Sequence, residues 1–186
     1  MKKITLEFLD FVKEIFSTRT IPPSFNPNEW KEKSFNCYAY CFDICTNLIG
    51  YRTNPGFLVG LDSGDYNYNK ESLINFFKQD CNELNLHVAE TTMDEEISDN
   101  EYKIALYLNS KGGFHCARQD ANGQWSDKDG WCGSIEILKK EDIIKTLHSY
   151  TLAGVYRVSR KEWWYHSFSI YKNNNCDIII KNKKGA

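Results

Sequence analysis

Residues 114–130 read FHCARQDANGQWSDKDG. Two runs with strand character, 114–120 and 124–126, flank Asn122-Gly123, the strongest hairpin signal a short sequence carries. A three-residue loop, Ala121-Asn122-Gly123, puts Gly123 in the left-handed position of a G1 bulge. The pairing then runs Asp120 with Gln124, Gln119 with Trp125, Arg118 with Ser126 and Ala117 with Asp127. His115 opposes Asp129. Side chains alternate across a strand, so His115, Ala117, Gln119, Asp127 and Asp129 share one face. Arg118 and Asp120 take the other, where an ion pair is expected. A two-residue Asn122-Gly123 turn would instead send Asp127 to the opposite face.

Working outward, the period changes from helical to alternating along the chain. Apolar residues at helical spacing, from Ile4 to Phe16, predict a helix over 3–17. Residues 18–34, with Pro22, Pro23 and Pro27, read as an extended loop. Residues 35–49, FNCYAYCFDICTNLI, predict a mostly buried helix with Gly50 as its stop. A further helix is expected over 70–86, capped by Asn69. Strands are expected at 87–92 and 102–109, then the hairpin. A short helix at 141–150 and strands at 152–159, 163–171 and 176–181 complete the expectation. Helices first and strands afterwards argue α+β, with N-terminal helices packed on an antiparallel β-sheet.

The chain has 186 residues, 41% hydrophobic and 26% charged, which is ordinary globular composition. One domain over 1–186 is expected, with its catalytic core at about 34–160. A formal charge of −2 gives no basic footprint for nucleic acid. No apolar run approaches the roughly 20 residues of a membrane span. Charges at Glu7, Asp10, Lys13 and Glu14 break the N-terminal apolar stretch, so a signal peptide is not expected. The reading is cytoplasmic, or exported without a conventional signal peptide. The seven cysteines form no C-x-x-C pair. That spacing argues against structural zinc, and no metal and no cofactor are expected.

Cys37 falls in the first turn of the expected 35–49 helix. The partial positive charge and free N–H groups there favour a thiolate, the nucleophilic form. Cys41 and Cys45 follow on the same helix face but lie deeper, and read as small core residues. A thiolate enzyme needs a base. His87, His115, His148 and His166 are the choices. His148 falls in the expected 141–150 helix, and His166 in an aromatic cluster. His115 leads a strand directly after Gly112-Gly113, a workable position for a base. Asp127, diagonal to it, or Asp129, opposite it, could hold the imidazole tautomer.

The segments NCYAYC (36–41) and FHCARQDANGQWSDKDG (114–130) resemble the paired motifs of small papain-like cysteine proteins, including the NlpC-type cell-wall peptidases. A Cys opens a helix, a His leads a strand, and a polar residue stands twelve positions later on the returning strand. Those peptidases usually carry His at that last place, where this chain has Asp127. The likeness covers about residues 34–130. It implies a papain-like fold and a thiol hydrolase or acyltransferase acting on peptide or amide bonds through Cys37, His115 and Asp127. The implied substrate is a peptide or protein, cell-wall peptide among them, and an effector acting on a protein target fits equally. The Cys37 N–H is the expected oxyanion donor. Gln119 and Trp125 are candidate substrate contacts. The competing class is a non-enzymatic or catalytically impaired binding protein that recognises a sugar or protein partner. The Trp125–Trp131 region and Trp163-Trp164 would then serve as platforms.

Overall fold

The computed structural model describes residues 6–30, 35–45, 53–61, 67–130, 133–144 and 146–161. The strands expected at 163–171 and 176–181 lie outside these, as do the outer residues of the first two expected helices.

Helix α1 (Leu6–Ser17) buries Leu9, Val12 and Phe16, one stripe at helical spacing, and leaves Phe11 exposed. Within the expected 18–34 loop, the one-turn helix α2 (Pro27–Trp30) drives Trp30 into the core. Helix α3 (Cys37–Cys41) is buried throughout. Helix α4 (Lys70–Glu83) starts at Asn69, which forms a reciprocal capping box with Ser72.

Helix α3 is shorter than the apolar pattern of 35–49 predicts. Asp43 adopts φ +54°, and the N–H groups of Asp43 and Ile44 turn back to the carbonyls of Tyr40 and Ala39. That is a Schellman ending with Asp43 in the place glycine usually takes. It is held from outside the helix. Arg118 donates to the Tyr40 carbonyl at 2.7 Å and to the Asp43 carboxylate at 3.0 Å.

Among the described residues, seven strands make one antiparallel sheet: β1 (Leu86–Thr91), β2 (Glu101–Leu108), β3 (Phe114–Gln119), β4 (Trp125–Lys128), β5 (Ile135–Leu138), β6 (Thr146–Leu147) and β7 (Tyr150–Arg160). Their order is β1-β7-β2-β3-β4-β5, with β6 paired to β7. The chain is therefore mixed α+β, helices before strands. The β3–β4 register is the one expected from the three-residue loop, Gln119 with Trp125, Arg118 with Ser126 and Ala117 with Asp127. Gly123 sits at φ +82°. The Arg118–Asp120 pair forms at 2.9 Å.

Two further regions depart from expectation. The helix expected over 141–150 is one turn, α5 (Lys140–Ile143), followed by the β6–β7 hairpin. Its turn residues His148 and Ser149 have φ +49° and +69°. Successive positive φ values are the mark of a two-residue hairpin turn whose twist matches its strands. Strand β5 was not expected; it pairs with β4 along its whole length.

Alternation along the strands gives the sheet two faces. One carries Tyr102, Ile104, Leu106, Cys116, Tyr156 and Val158 and packs against α1, α3 and α4. The other carries Ala105, Tyr107, Ala117, Trp125 and Val155 with Ile143 and Leu147. The second cluster is the floor on which His115 and Asp127 lie.

Candidate active site

The site begins with a cap. Asn36 is extended, and its side-chain oxygen accepts from the N–H groups of Tyr38 and Ala39 and from the Thr53 hydroxyl. Its amide donates to Asn54 at 3.1 Å. The cap holds the first turn of α3, and Cys37 is the first helical residue. At the other end of α3, the Arg118 guanidinium stacks on the Tyr40 ring at 3.9 Å and donates to Ser24, Tyr40, Asp43 and Asp120. The Tyr40 hydroxyl shares a hydrogen bond with Ser126 on β4. Five residues of helix are thus held by polar contacts at both ends, to Thr53 and Asn54 at the start and to β3 and β4 at the finish.

The β3–β4 ladder ends at Ala117–Asp127. His115 and Cys116 lie beyond its last rung, at the start of β3. There the backbone and thiol of Cys116 and the ring of His115 adjoin the Cys37 sulfur and act on its titration. The His115 Nε2 meets the Asp127 carboxylate at 2.7 Å. That leaves Nδ1 as the nitrogen available to Cys37, and the imidazole bridges thiol and carboxylate. Cys37 and His115 are each 4% exposed and Asp127 1%.

The charges follow from these contacts. The Cys116 hydrogen bonds hold the Cys37 thiol well below its ordinary value; burial opposes them, and the His115 charge adds to them. Burial also opposes charging of His115, but the Cys37 thiolate and the Asp127 hydrogen bond outweigh it and raise His115 to about 10. The two shifts describe a thiolate–imidazolium pair across the neutral range. Burial and the neighbouring thiolate push Cys116 up, so it remains a protonated donor.

The residues singled out from the sequence separate here. Cys37, His115 and Asp127 come together. Asp129 does not join them: the ladder ends before it could oppose His115, and it lies exposed in the turn after β4. Gln119 donates to the Gly123 carbonyl at 3.1 Å and braces the hairpin loop. Trp125 is buried in the floor. Neither Gln119 nor Trp125 reaches the Cys37–His115 pair through a contact seen among the described residues. Trp131, Trp163 and Trp164 lie outside the described residues.

Two neighbours were not legible as site residues. Cys116, beside His115, carries no sequence signal that separates it from a buried apolar filler or an incidental thiol. His148 read as a residue of a helix, but the β6–β7 turn carries it to Asp127, where its Nε2 meets the same carboxylate oxygen at 2.9 Å. Its ring lies edge-on to His115, centroids 5.2 Å apart. His115, Asp127 and His148 present three ligand atoms within 4.8 Å of one another, a set that could hold a metal ion. Tyr107 and Tyr150 complete the aromatic surround of His115.

Comparison with known proteins adds a family. The chain belongs to the DUF7689 family, a domain of unknown function, whose model matches residues 28–151. That span includes Cys37, His115, Asp127 and His148. No curated protein and no solved structure matches the chain. Among the described residues, no helix is long and apolar enough to cross a membrane.

Proposed function

We propose that the chain is a thiol-dependent hydrolase or acyltransferase that acts on peptide or amide bonds through Cys37, His115 and Asp127. The observation that carries this reading is the imidazole of His115 bridging the Cys37 sulfur and the Asp127 carboxylate, with the thiol shifted down and the imidazole up. The Cys37 thiolate attacks a carbonyl carbon and forms the acyl-enzyme. His115 gives its Nδ1 proton to the leaving amine and then withdraws one from water or another acceptor. Asp127 holds the ring with Nδ1 towards the sulfur. Asn36 caps the N–H groups of Tyr38 and Ala39, and the Cys37 N–H is the donor of the first turn left for the oxyanion.

The motif likeness to papain-like and NlpC-type proteins supports the same chemistry and suggests that fold. The substrate class that follows is a peptide or protein, cell-wall peptide included, met in the cytoplasm or after export without a conventional signal peptide. The test is labelling with an electrophilic acyl probe, followed by a peptide and amide substrate screen. Labelling of wild type that maps to Cys37 and vanishes in Cys37→Ala is expected. Equal labelling of both forms would show that another residue, or none, is the nucleophile.

A further inference from the structure

We propose that His115, Asp127 and His148 form a binding site for a divalent transition-metal cation of the zinc type, exclusive with the catalytic use of His115. Three observations carry it. Both imidazoles aim Nε2 at one carboxylate oxygen, at 2.7 and 2.9 Å. Two imidazole nitrogens and a carboxylate oxygen are a donor set suited to zinc, with room for water as the fourth ligand. Zinc bonds of about 2.0–2.2 Å set tetrahedral ligand atoms about 3.3 Å apart, so each imidazole nitrogen needs to part from the carboxylate oxygen by only about half an ångström, and all three ligand atoms already lie within 4.8 Å of one another.

The second observation is the turn. His148 and Ser149 hold positive φ where hairpins favour Asn-Gly. A non-glycine residue in that conformation carries backbone strain, and such strain gathers at functional positions. Here the strained position aims an imidazole at a buried carboxylate. The third is access. The His148 side chain is 39% exposed while Asp127 is buried, so the cation has an entry path through His148 and a solvent side for its water.

Binding displaces the Nε2 protons of both rings to water and turns Asp127 from hydrogen-bond acceptor into ligand. His115 keeps Nδ1–H towards Cys37, in the way metal-bound histidines commonly hold their second nitrogen. The metal then occupies the place of the proton on Nε2, and His115 no longer cycles as acid and base. This regulatory consequence rests on the proposed function; the site itself rests on geometry.

The test uses the full chain with Zn2+ in competition with a chromophoric chelator, and Co2+ as an optical probe. Wild type and Cys37→Ser are expected to bind one zinc ion at this site with similar affinity, and the Co2+ complex to lack a thiolate charge-transfer band. His148→Asn is the discriminating variant, since Asn tolerates positive φ and cannot reach the ligand position. Its zinc affinity is expected to fall by about 100-fold or more, beyond the loss from disturbing a second-shell partner. Unchanged affinity in His148→Asn, binding lost in Cys37→Ser, or a thiolate band would overturn the site. Alkylation of Cys37 without zinc is read separately. A pH profile of alkylation that climbs like that of a free thiol overturns the nucleophile assignment and with it the regulatory role, and leaves the zinc result standing.

Discussion

Replacing His115 with Ala separates the two forces that set the Cys37 thiol. In the wild type, hydrogen bonds from Cys116 and the charge of His115 lower it, and burial raises it. Without the imidazole, the Cys116 bonds and burial oppose each other and the thiol returns towards its ordinary range. An ordinary thiol near pKa 8.5 is only about 3% thiolate at pH 7. A thiol held well below that is almost wholly ionised. The variant should therefore react up to about 30-fold more slowly at pH 7, roughly 2 kcal/mol. The assay is iodoacetamide alkylation followed by peptide mapping from pH 5 to 10. Because Cys37 is buried, the diagnostic is the shape of the profile and not the absolute rate. Wild type should plateau from mildly acidic pH. The variant should climb about tenfold per pH unit below its midpoint. Acyl transfer by wild type should fall again near pH 10, as His115 loses its proton. A wild-type profile that climbs like the variant's, with a midpoint near that of a free thiol, would refute the ion pair.

Asp80 is buried on α4 and accepts from the Tyr38 hydroxyl and the N–H groups of Gly56 and Leu58, yet burial raises it to about 7. A folded value above the unfolded one makes its contribution complete below about pH 4 and lost as pH rises through 7. Wild type should gain thermal stability on acidification relative to Asp80→Asn, as read by melting curves, and the variant should lose about 1–3 kcal/mol at low pH from donors left unpaired. Arg118→Met strips the buried carboxylate Asp120 of its cation, leaves the half-buried Asp43 with Arg19 alone, and uncaps α3. The expected cost is about 3–5 kcal/mol by urea denaturation, with Cys37 selectivity lost in whatever remains folded. Gln119→Ala removes one hydrogen bond within the hairpin loop; Cys37 labelling should be unchanged and stability should fall by no more than about 1.5 kcal/mol.

The hairpin was legible because its determinants are local. Asn122-Gly123 sets the loop, the loop sets the register, and the register puts Asp127 on the face of His115. Cys37 was legible for the same reason, falling in the first turn of the expected helix. The end of α3 was not, because the residue that terminates it, Arg118, lies 75 positions beyond Asp43. A window over 35–49 shows only a continuous apolar pattern. Strand β5 is four residues long with Ile137 exposed, so its pattern lacks clean alternation. His148 was hidden by a period coincidence. Ile144 and Leu147 stand at helical spacing, and a hairpin turn of His-Ser carries none of the Asn or Gly that signals one. Asp129 failed for a different reason: extrapolating the register past Asp127 assumed a ladder that β4 does not continue.

The two residues the sequence concealed share one electrostatic task. A thiolate, an imidazolium and a carboxylate sum to one surplus negative charge, here in a site almost closed to water. Such a charge is costly unless donors surround it. Cys116 supplies two at the thiolate end, its N–H and its thiol. His148 stands against the carboxylate at the other end. His115 connects the two. Cys116 can donate its N–H because β4 has already left β3, and His148 reaches Asp127 because the β6–β7 turn accepts positive φ. The surplus charge is thus divided between an interrupted ladder and a strained turn, both irregularities of the sheet. Filling either irregularity with regular structure would remove a donor without touching Cys37, His115 or Asp127, and would return the site towards the neutral thiol and imidazole.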